Sequence, residues 1–332
     1  MTVRLSRRQC LHLAATSGSL LMLRCQDVRG TQARRARRFL GNALSQNRLN
    51  LGCFIGNTQR LAPPHDTGWV FSLHFVSRAL GASMPLAARR NYIEKLRASR
   101  QSGTWSYGRG SPVDADDTAL AARTLIALGD KSPEYDLSLF RCPHDRLYRT
   151  FAWGGSQAVA VEPSTANNAG VHAEVNLNIA ELFASQGRQP PSLEPVLEAC
   201  VTDEGRVRSY FYPSDYYGAY WLFAARAQGA PIPPGIVNKV VRFVTDSQDA
   251  NGAWSDQDPY QTALAAAALR IVGRSEEQQG LARRFLEESQ HNDGSWSTGS
   301  DLWRYTHRGG VVWNARDSHR VVTTALALEA IG

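Results

Sequence analysis

The feature that most constrains the fold of this chain is a sixteen-residue block that occurs six times. Each block starts with a polar cluster, continues as an apolar helical pattern and ends on glycine. The six copies are 66–81, 114–129, 172–187, 214–229, 258–273 and 317–332. Repetition at intervals of 42 to 59 residues is typical of folds that stack one helical unit. The copies therefore predict six equivalent helices.

Both ends of the blocks carry residue types that begin and end helices. His172 opens one copy, and the other five open on residues whose side chains cap helix N-termini: Asp66, Asp114, Ser214, Asp258 and Asp317. The final glycines suit the left-handed backbone position that closes a helix. Several copies, such as 258–273, are apolar or small nearly all round, which is typical of helices packed on every side.

Amphipathic stretches between the blocks carry charge on one face, as outer helices do. They are 33–45, 86–100, about 132–141, 191–200, 234–247 and 276–289. Six outer and six inner helices in alternation predict an all-α fold, a single α/α6 barrel (toroid) of six helical hairpins over 32–332. Residues 1–31 are predicted to be a short N-terminal extension, and no strand is predicted.

The net charge of +7 is concentrated at the N-terminus. Residues 1–40 hold nine arginines, one aspartate and no lysine, so the rest of the chain has a net charge of −1. A nearly neutral body argues against a nucleic-acid partner. The five cysteines include no CxxC pair, so neither a disulfide framework nor a zinc knuckle is indicated.

The N-terminal extension has two interpretations. Ser6, Arg7 and Arg8, followed by an apolar run, resemble a twin-arginine export signal, although Cys10 stands where phenylalanine is usual. The alternative is a basic helix that packs on the domain or lies on a membrane surface. The run is too short to span a bilayer. Localisation therefore stays open between export by the twin-arginine route and a cytoplasmic or membrane-peripheral protein.

Three carboxylates stand at the start of the second block, and we call Asp114, Asp116 and Asp117 the acid cluster. Neighbouring carboxylates repel one another, so we expect at least one raised pKa and a proton held near neutrality. Such an acid at the start of a helix indicates acid catalysis. Capping by Asp114 and attraction to the helix dipole are the competing structural explanations. No other block has two adjacent acids at its third and fourth places, which favours function for Asp116.

A second repeat lies in the connections from outer to inner helices. It has the pattern Gln, Gly, x, Trp, and its clear copies are 101–105, 248–254 and 290–296. Glycine permits a tight turn, tryptophan buries a large apolar area, and glutamine can satisfy backbone groups at the helix end. Stretches starting at Ser45 and Thr202 are degenerate copies. These turns are predicted to hold the hairpins together.

The Gln/Gly/Trp repeat resembles the QW motif of the prenyltransferase and terpene cyclase superfamily. The sequence VDADDTA at 113–119 resembles the DxDD motif of its class II cyclases, such as squalene-hopene cyclase and bacterial diterpene cyclases. The resemblance implies a protonation-initiated terpenoid cyclase or isomerase acting on a linear isoprenoid. Asp116 would be the acid, and Asp114 and Asp117 would orient it and set its pKa. The acid step would need no metal or cofactor, and Mg²⁺ would be needed only for a diphosphate substrate.

Equivalent places in the other blocks are expected to face the same mouth of the barrel. They are Trp69, Glu174, Tyr216, Tyr217, Tyr260, Gln261, His319 and Arg320. Glu174 is predicted to be the nearest further acid, which shares a proton with Asp116, acts as the terminating base, or only accepts hydrogen bonds from a loop. His172 and His319 either tune Asp116 or are ordinary helix-start residues.

Aromatic residues on the inner helices supply the candidate substrate-binding residues, because aromatic faces stabilise carbocations without trapping them. The candidates are Trp69, Phe71, Tyr216, Tyr217, Tyr220, Trp221 and Tyr260. The competing interpretation is that each is part of the apolar core.

Two other functions remain open. A carbohydrate-active enzyme would use Asp116 and Glu174 as a carboxylate pair, and export would favour it. A non-catalytic toroid would bind a lipid or a protein. The relatives named above carry two barrels, so a homodimer or a partner barrel is a further expectation, as is association with a membrane surface.

Overall fold

The computed structural model describes residues 30–55, 59–60, 67–108, 111–142, 146–152, 170–306 and 312–332. The predictions for the export signal and for capping by Asp66 lie outside this part of the chain. Within it, no helix combines the length and apolar character needed to cross a bilayer.

The described residues form eleven helices, of which six match the repeated blocks. In chain order they are α1 (30–45), α2 (Trp69–Leu80), α3 (Leu86–Ser99), α4 (Ala115–Ala127), α5 (Ala173–Ser185), α6 (Glu194–Cys200), α7 (Tyr217–Ala227), α8 (Pro234–Asp246), α9 (Pro259–Val272), α10 (Glu276–Ser289) and α11 (Val321–Ile331). Helices α2, α4, α5, α7, α9 and α11 each pack on the next, and α11 packs on α2. The predicted barrel is confirmed, because this ring of inner helices is closed.

The inner helices are buried because their apolar residues surround the helix axis. In α9 every side chain from Tyr260 to Leu269 is buried, and in α4 every side chain from Ala115 to Leu125 is buried. The outer helices are amphipathic and bury one stripe, which in α8 consists of Val237, Val240 and Val244. A ring of inner helices enclosed by outer helices provides burial on all sides, so the architecture agrees with the sequence pattern.

The prediction of an outer helix at about 132–141 is wrong. Residues 133–137 form no regular secondary structure, and only Ser138–Phe140 form a turn of 3₁₀ helix. The Asp136 amide donates to the Gly103 carbonyl at 2.8 Å, and the Asp136 side chain accepts from the Ser138 amide at 2.8 Å. This local side-chain bond competes with helix formation, so the third hairpin has an irregular segment in place of its outer helix.

Two of the predicted N-caps are confirmed, and those at Ser214 and Asp317 are wrong, because these residues lie before the N-cap positions of α7 and α11. Asp114 accepts from the Asp117 amide at 2.7 Å, and Asp258 accepts from the amides of Tyr260 and Gln261. At these two helix starts the aspartate therefore caps the helix, as its residue type predicts. His172 precedes α5 without a side-chain cap bond, in agreement with its status as the exception.

The three Gln/Gly/Trp turns have one geometry. Each indole Nε1 donates to a carbonyl in the last turns of the preceding outer helix: Trp105 to Leu96 at 2.9 Å, Trp254 to Val244 at 2.8 Å, and Trp296 to Leu286 at 2.7 Å. Each tryptophan amide donates, at 3.1 Å, to the hydroxyl of a threonine that lies four residues after the N-cap of an inner helix: Thr118, Thr262 and Thr324 respectively. The turns therefore join outer and inner helices through buried indoles.

The prediction that the chain has no strands is wrong. One sheet has the order β2 (Gln59–Arg60), β1 (Gly52–Ile55), β6 (Val312–Arg316), β5 (Trp303–Thr306), all antiparallel, and β3 (Trp105–Ser106) pairs with β4 (Val113–Asp114). These strands are too short for an alternating pattern to be visible in the sequence. Because β1 precedes α2 and β6 precedes α11, their pairing joins the first and last hairpins at the end where the inner helices begin.

We predict that Trp254→Phe lowers the free energy of unfolding by about 1–3 kcal/mol, because the buried Val244 carbonyl loses its donor and the smaller ring leaves a void. Trp313→Phe is the matched control, since Trp313 is 40% exposed, and its effect should stay within about 0.5 kcal/mol. Denaturant unfolding followed by circular dichroism measures both variants. Equal losses would contradict the role assigned to the buried indole.

Candidate active site

The acid cluster lies where β4 runs into α4. Asp114 is the last residue of β4 and pairs across the two-stranded sheet with Trp105. The Asp114 carbonyl accepts from the Thr118 hydroxyl at 2.6 Å, and its carboxylate caps the helix. The tryptophan turn therefore fixes the first turn of α4, on which Asp116 and Asp117 stand.

Asp116 is buried, with 8% of its surface exposed, and each of its carboxylate oxygens has a donor. The Asn178 amide Nδ2 donates to Oδ1 at 2.8 Å, and the Tyr212 hydroxyl donates to Oδ2 at 2.6 Å. Burial raises the pKa of Tyr212 well above its usual value, so this phenol keeps its own proton near neutral pH. Asp116 is therefore a buried carboxyl whose anionic form already has two partners.

The cluster holds protons more tightly than free aspartates do. Burial raises the pKa of Asp116, whereas the hydrogen bonds from Tyr212 and Asn178 oppose the rise. Burial raises the pKa of Asp117 to about 7, and it raises the pKa of Asp114 well above its usual value, with the Asp117 charge adding to the effect. These directions agree with the expectation that neighbouring carboxylates hold a proton near neutrality.

Glu174 lies in the first turn of α5 and is fully buried. Its Oε1 accepts from the backbone amides of Tyr210 at 2.9 Å and Phe211 at 3.1 Å, and its Oε2 has no hydrogen-bond partner among the described residues. Burial raises the pKa of Glu174 to about 7, and the nearby charge of Asp116 adds to the rise. Glu174 thus holds the segment that presents Tyr212 to Asp116.

His172 supports the same segment through its ring. It stacks on Tyr210 with 4.4 Å between ring centroids, and its Nδ1 lies 2.6 Å from the Thr150 hydroxyl. Burial lowers the pKa of His172 to about 4, so the ring is neutral near pH 7. It contacts the loop that carries Tyr212 rather than Asp116 itself.

An aromatic wall continues from Asp116 into the barrel. Tyr212 stacks on Tyr217 at 3.7 Å and on Phe71 at 5.7 Å between centroids. Tyr217 in turn meets the Trp221 ring edge to face at 6.0 Å. Of the aromatic residues proposed from the sequence, Tyr217, Phe71 and Trp221 are therefore brought together next to the acid.

The structure places the remaining proposed residues elsewhere. The Tyr216 hydroxyl bonds to Ser247 beside α8 at 3.3 Å. Tyr220 donates to Glu329 at 3.1 Å. Three further candidates lie on other contacts or surfaces: Trp69 under the Lys95 ammonium, Tyr260 buried close enough to Asp258 to be affected by its charge, and His319 exposed in the turn before α11.

Sequence reasoning missed Asn178 and Tyr212, the two donors to Asp116. Asn178 gave a signal, because it is a polar residue between apolar neighbours, Leu177 and Ile179, in the middle of an inner block. Tyr212 gave little signal, since it lies in the degenerate turn starting at Thr202. The fold alone brings it to Asp116, 96 residues away in sequence.

A resident metal site is not defined by the described residues, in which no three His, Cys, Asp or Glu side chains form a group that would hold a metal ion. The expectation of Mg²⁺ for a diphosphate substrate stays a prediction.

No protein-family model and no curated protein matches the sequence. Solved structures do match. The type II terpene cyclase MstE from Scytonema, determined as a variant with geranylgeranyl dihydroxybenzoate as substrate, has a TM-score of 0.71 and 19% identity over 92% of this chain and 97% of its own. A protein from Actinoplanes has a TM-score of 0.66 and 19% identity over 91% of this chain and 98% of its own.

The ent-copalyl diphosphate synthase from Streptomyces platensis has a TM-score of 0.56 and 19% identity, covering 79% of this chain and 50% of its own. These similarities show that the chain has the helical toroid fold of type II terpene cyclases, which confirms the fold expected from the motifs. Because nearly the whole MstE chain aligns, a cyclase chain of about this length also carries a single barrel of this kind.

We predict that Glu174 makes stability depend on pH. Its pKa is about 7 in the folded protein and 4.5 in a free side chain, so its contribution is complete below pH 4.5 and is lost as the pH rises through about 7. The loss is on the order of 3 kcal/mol. Glu174→Gln keeps the oxygen that accepts the two amides, and the variant should lack this fall. Unfolding free energies from pH 4 to 8 test it, and a difference from wild type that is constant across this range would contradict the assignment.

Proposed function

We propose that this protein is a protonation-initiated terpenoid cyclase or isomerase that acts on a linear isoprenoid. The observation that carries the proposal is the geometry of Asp116, a buried carboxyl with a donor on each oxygen, at the head of an aromatic wall. The fold, which is that of type II terpene cyclases, supports the same reaction class. The DxDD pattern of residues 113–119 is the sequence feature that agrees with it.

Protonation of an alkene requires an acid that keeps its proton until the substrate binds and then transfers the proton to carbon. Burial favours the neutral form of Asp116 before reaction. When the proton moves to carbon, negative charge develops on the carboxylate, and the Asn178 amide and the Tyr212 hydroxyl are already in place to donate to it. Hydrogen bonds to the charged form are the stronger ones, so they act mainly in the transition state.

The carbocation formed next needs surroundings that stabilise its positive charge and contain no nucleophile that would attack it. The faces of Phe71 and Tyr217 provide this, because aromatic rings attract cations through their quadrupole. We assign these two residues, with Tyr212, to substrate and cation binding, whereas the Trp221 ring already has the Arg123 guanidinium over it. The remaining sequence candidates, whose contacts lie elsewhere, are not part of this proposal.

Asp114 and Asp117 are proposed to support the acid rather than to replace it. The Asp114 carboxylate caps α4 through the Asp117 amide, which orients the turn that carries Asp116. The proton that the pair holds near neutral pH limits the negative charge beside Asp116. Glu174 is proposed to hold the Tyr210–Phe211 amides, and its second oxygen leaves it available as a terminating base.

The identity of the reaction is tested with the full-length chain and a panel of linear isoprenoids. The panel contains farnesyl and geranylgeranyl diphosphates, squalene, oxidosqualene and a geranylgeranyl dihydroxybenzoate, each with and without Mg²⁺. We expect at least one cyclised product by mass spectrometry, and none from a folded Asp116→Asn variant. Product formation that is equal in the variant would contradict the assignment of the acid.

We further predict that Tyr212→Phe slows the reaction by about ten- to a hundredfold. The variant removes a hydrogen bond to a charged carboxylate, which contributes about 1.5–3 kcal/mol. Tyr216→Phe is the matched control, because its hydroxyl bonds to Ser247 and makes no contact with Asp116. Initial rates on the active substrate compare the two variants. Similar rates in both would show that the Tyr212 hydroxyl does not act on the acid.

A further inference from the structure

A chain of polar side chains runs from Asp116 along the inner helices, and its first members are buried whereas Arg78 and Glu329 at its far end are partly exposed. Its members after Asp116 are Asn178, Arg123, Glu181, Arg78 and Glu329. All stand on inner helices, whose other buried residues are mainly apolar. Charged groups in such a place are costly unless they are paired, so the arrangement calls for an explanation.

The contacts in this chain are continuous. Asn178 Nδ2 donates to Asp116 Oδ1 at 2.8 Å, and Asn178 Oδ1 accepts from an Arg123 guanidinium nitrogen at 2.8 Å. The other terminal nitrogen of Arg123 bonds to Glu181 Oε1. Arg123 also lies over the Trp221 ring, with its guanidinium carbon 4.8 Å from the ring centroid. The guanidinium is thus separated from the acid by a single amide group.

An amide side chain has one accepting and one donating end, whereas a guanidinium can only donate. Arg123 therefore fixes the oxygen of Asn178 toward itself, and Nδ2 must face Asp116. If Asn178 turned over, its oxygen would lie against Asp116 Oδ1. It could then accept a bond from the protonated acid, which would stabilise the neutral form and weaken the acid.

The orientation of the Asn178 amide also decides which carboxyl oxygen of Asp116 carries the proton. Because Asn178 Nδ2 carries no lone pair to accept with, Asp116 Oδ1 is the accepting oxygen in both protonation states. The proton then lies on Oδ2, next to the Tyr212 hydroxyl, which can both donate and accept. Burial lowers the pKa of Arg123 to about 10, so its charge is present near neutral pH and favours the carboxylate.

We propose that Arg123 is a positioning residue for Asp116: it holds Asn178 in the donating orientation and places one positive charge behind it. The inference rests on the proposed function of Asp116 as the acid. Glu181 keeps Arg123 in place and balances its charge.

The chain offers a matched control in Arg78. Arg78 bonds to the same Glu181 oxygen at 3.0 Å, and it also lies over an aromatic ring, with its guanidinium carbon 5.3 Å from the Tyr220 centroid. Its other partner is Glu329 at 3.0 Å, and it makes no bond to Asn178. Removing Arg78 therefore changes a partly buried ion pair with the same Glu181 oxygen without touching the acid.

The test measures the protonation of Asp116 without substrate. Infrared spectra of the full-length chain are recorded against pH, and the Asp116→Asn variant assigns the band of the protonated Asp116 carboxyl. Removing a cation and a fixed donor destabilises the carboxylate. Arg123→Met should therefore keep the protonated band to higher pH than wild type, and Asn178→Leu should shift it in the same direction, whereas Arg78→Met should leave it unchanged.

Other titratable or charged groups that affect Asp116 stay the same in these variants. They are Asp114 and Asp117 beside it, Glu174 from α5, Tyr212 from the loop and Tyr217 from α7. In Arg123→Met, Glu181 keeps Arg78 as its partner. If that variant does not fold, Arg123→Met with Glu181→Gln removes both charges of the pair and should give the same shift.

Identical Asp116 titrations in the Arg123 and Arg78 variants would overturn the proposal. The result is independent of the substrate panel. A shift without any cyclised product would retain the positioning role and contradict the proposed reaction. Cyclisation by the wild type together with an unshifted titration would retain the reaction and contradict the role of Arg123.

Discussion

The rest of the structure depends on one constraint, which is that the inner helices are apolar nearly all round. Such helices are stable only when every face is covered, so six of them close into a ring of inner helices in the described part of the chain. The interior of that ring consists mainly of buried apolar side chains, so a polar group inside it is costly unless it is paired. The environment of Asp116 follows from this, because burial favours its proton and the paired donors favour its release.

The same constraint explains why the acid is supported from two directions. Tyr212 reaches Asp116 from a loop that Glu174 holds by its backbone, and Asn178 reaches it from the neighbouring inner helix. The donor from the helix is held in turn by Arg123. A carboxyl supported only by a mobile group would reorganise during proton transfer, whereas these donors are in place beforehand.

Much of the fold was predictable because the apolar blocks repeat, and capping by Asp114 followed from residue type at the block start. The strands and the missing outer helix could not be predicted. Short strand pairings and the turn at Asp136 depend on tertiary contacts that no sequence periodicity shows. The choice of Asp116 as the candidate acid came from the two adjacent acids in its block, and its catalytic role stays a prediction. The buried ion pair of Arg123 and Glu181 could have been expected from the sequence, because the two residues occupy the tenth place of adjacent blocks. Little in the sequence indicated a role for Tyr212, because only the fold brings it near Asp116.

The most direct measurement of the central claim is deuterium incorporation into the product. The full-length chain is equilibrated in D₂O and given whichever linear isoprenoid of the panel it converts by protonation of an alkene, which leaves out oxidosqualene because its epoxide oxygen would take the proton. The product is analysed by mass spectrometry and NMR. If the protonated Asp116 carboxyl starts the reaction, each cyclised molecule should contain one non-exchangeable deuterium on the carbon that receives the proton. A cyclised product without deuterium would show that the reaction starts in another way and would contradict the role of Asp116.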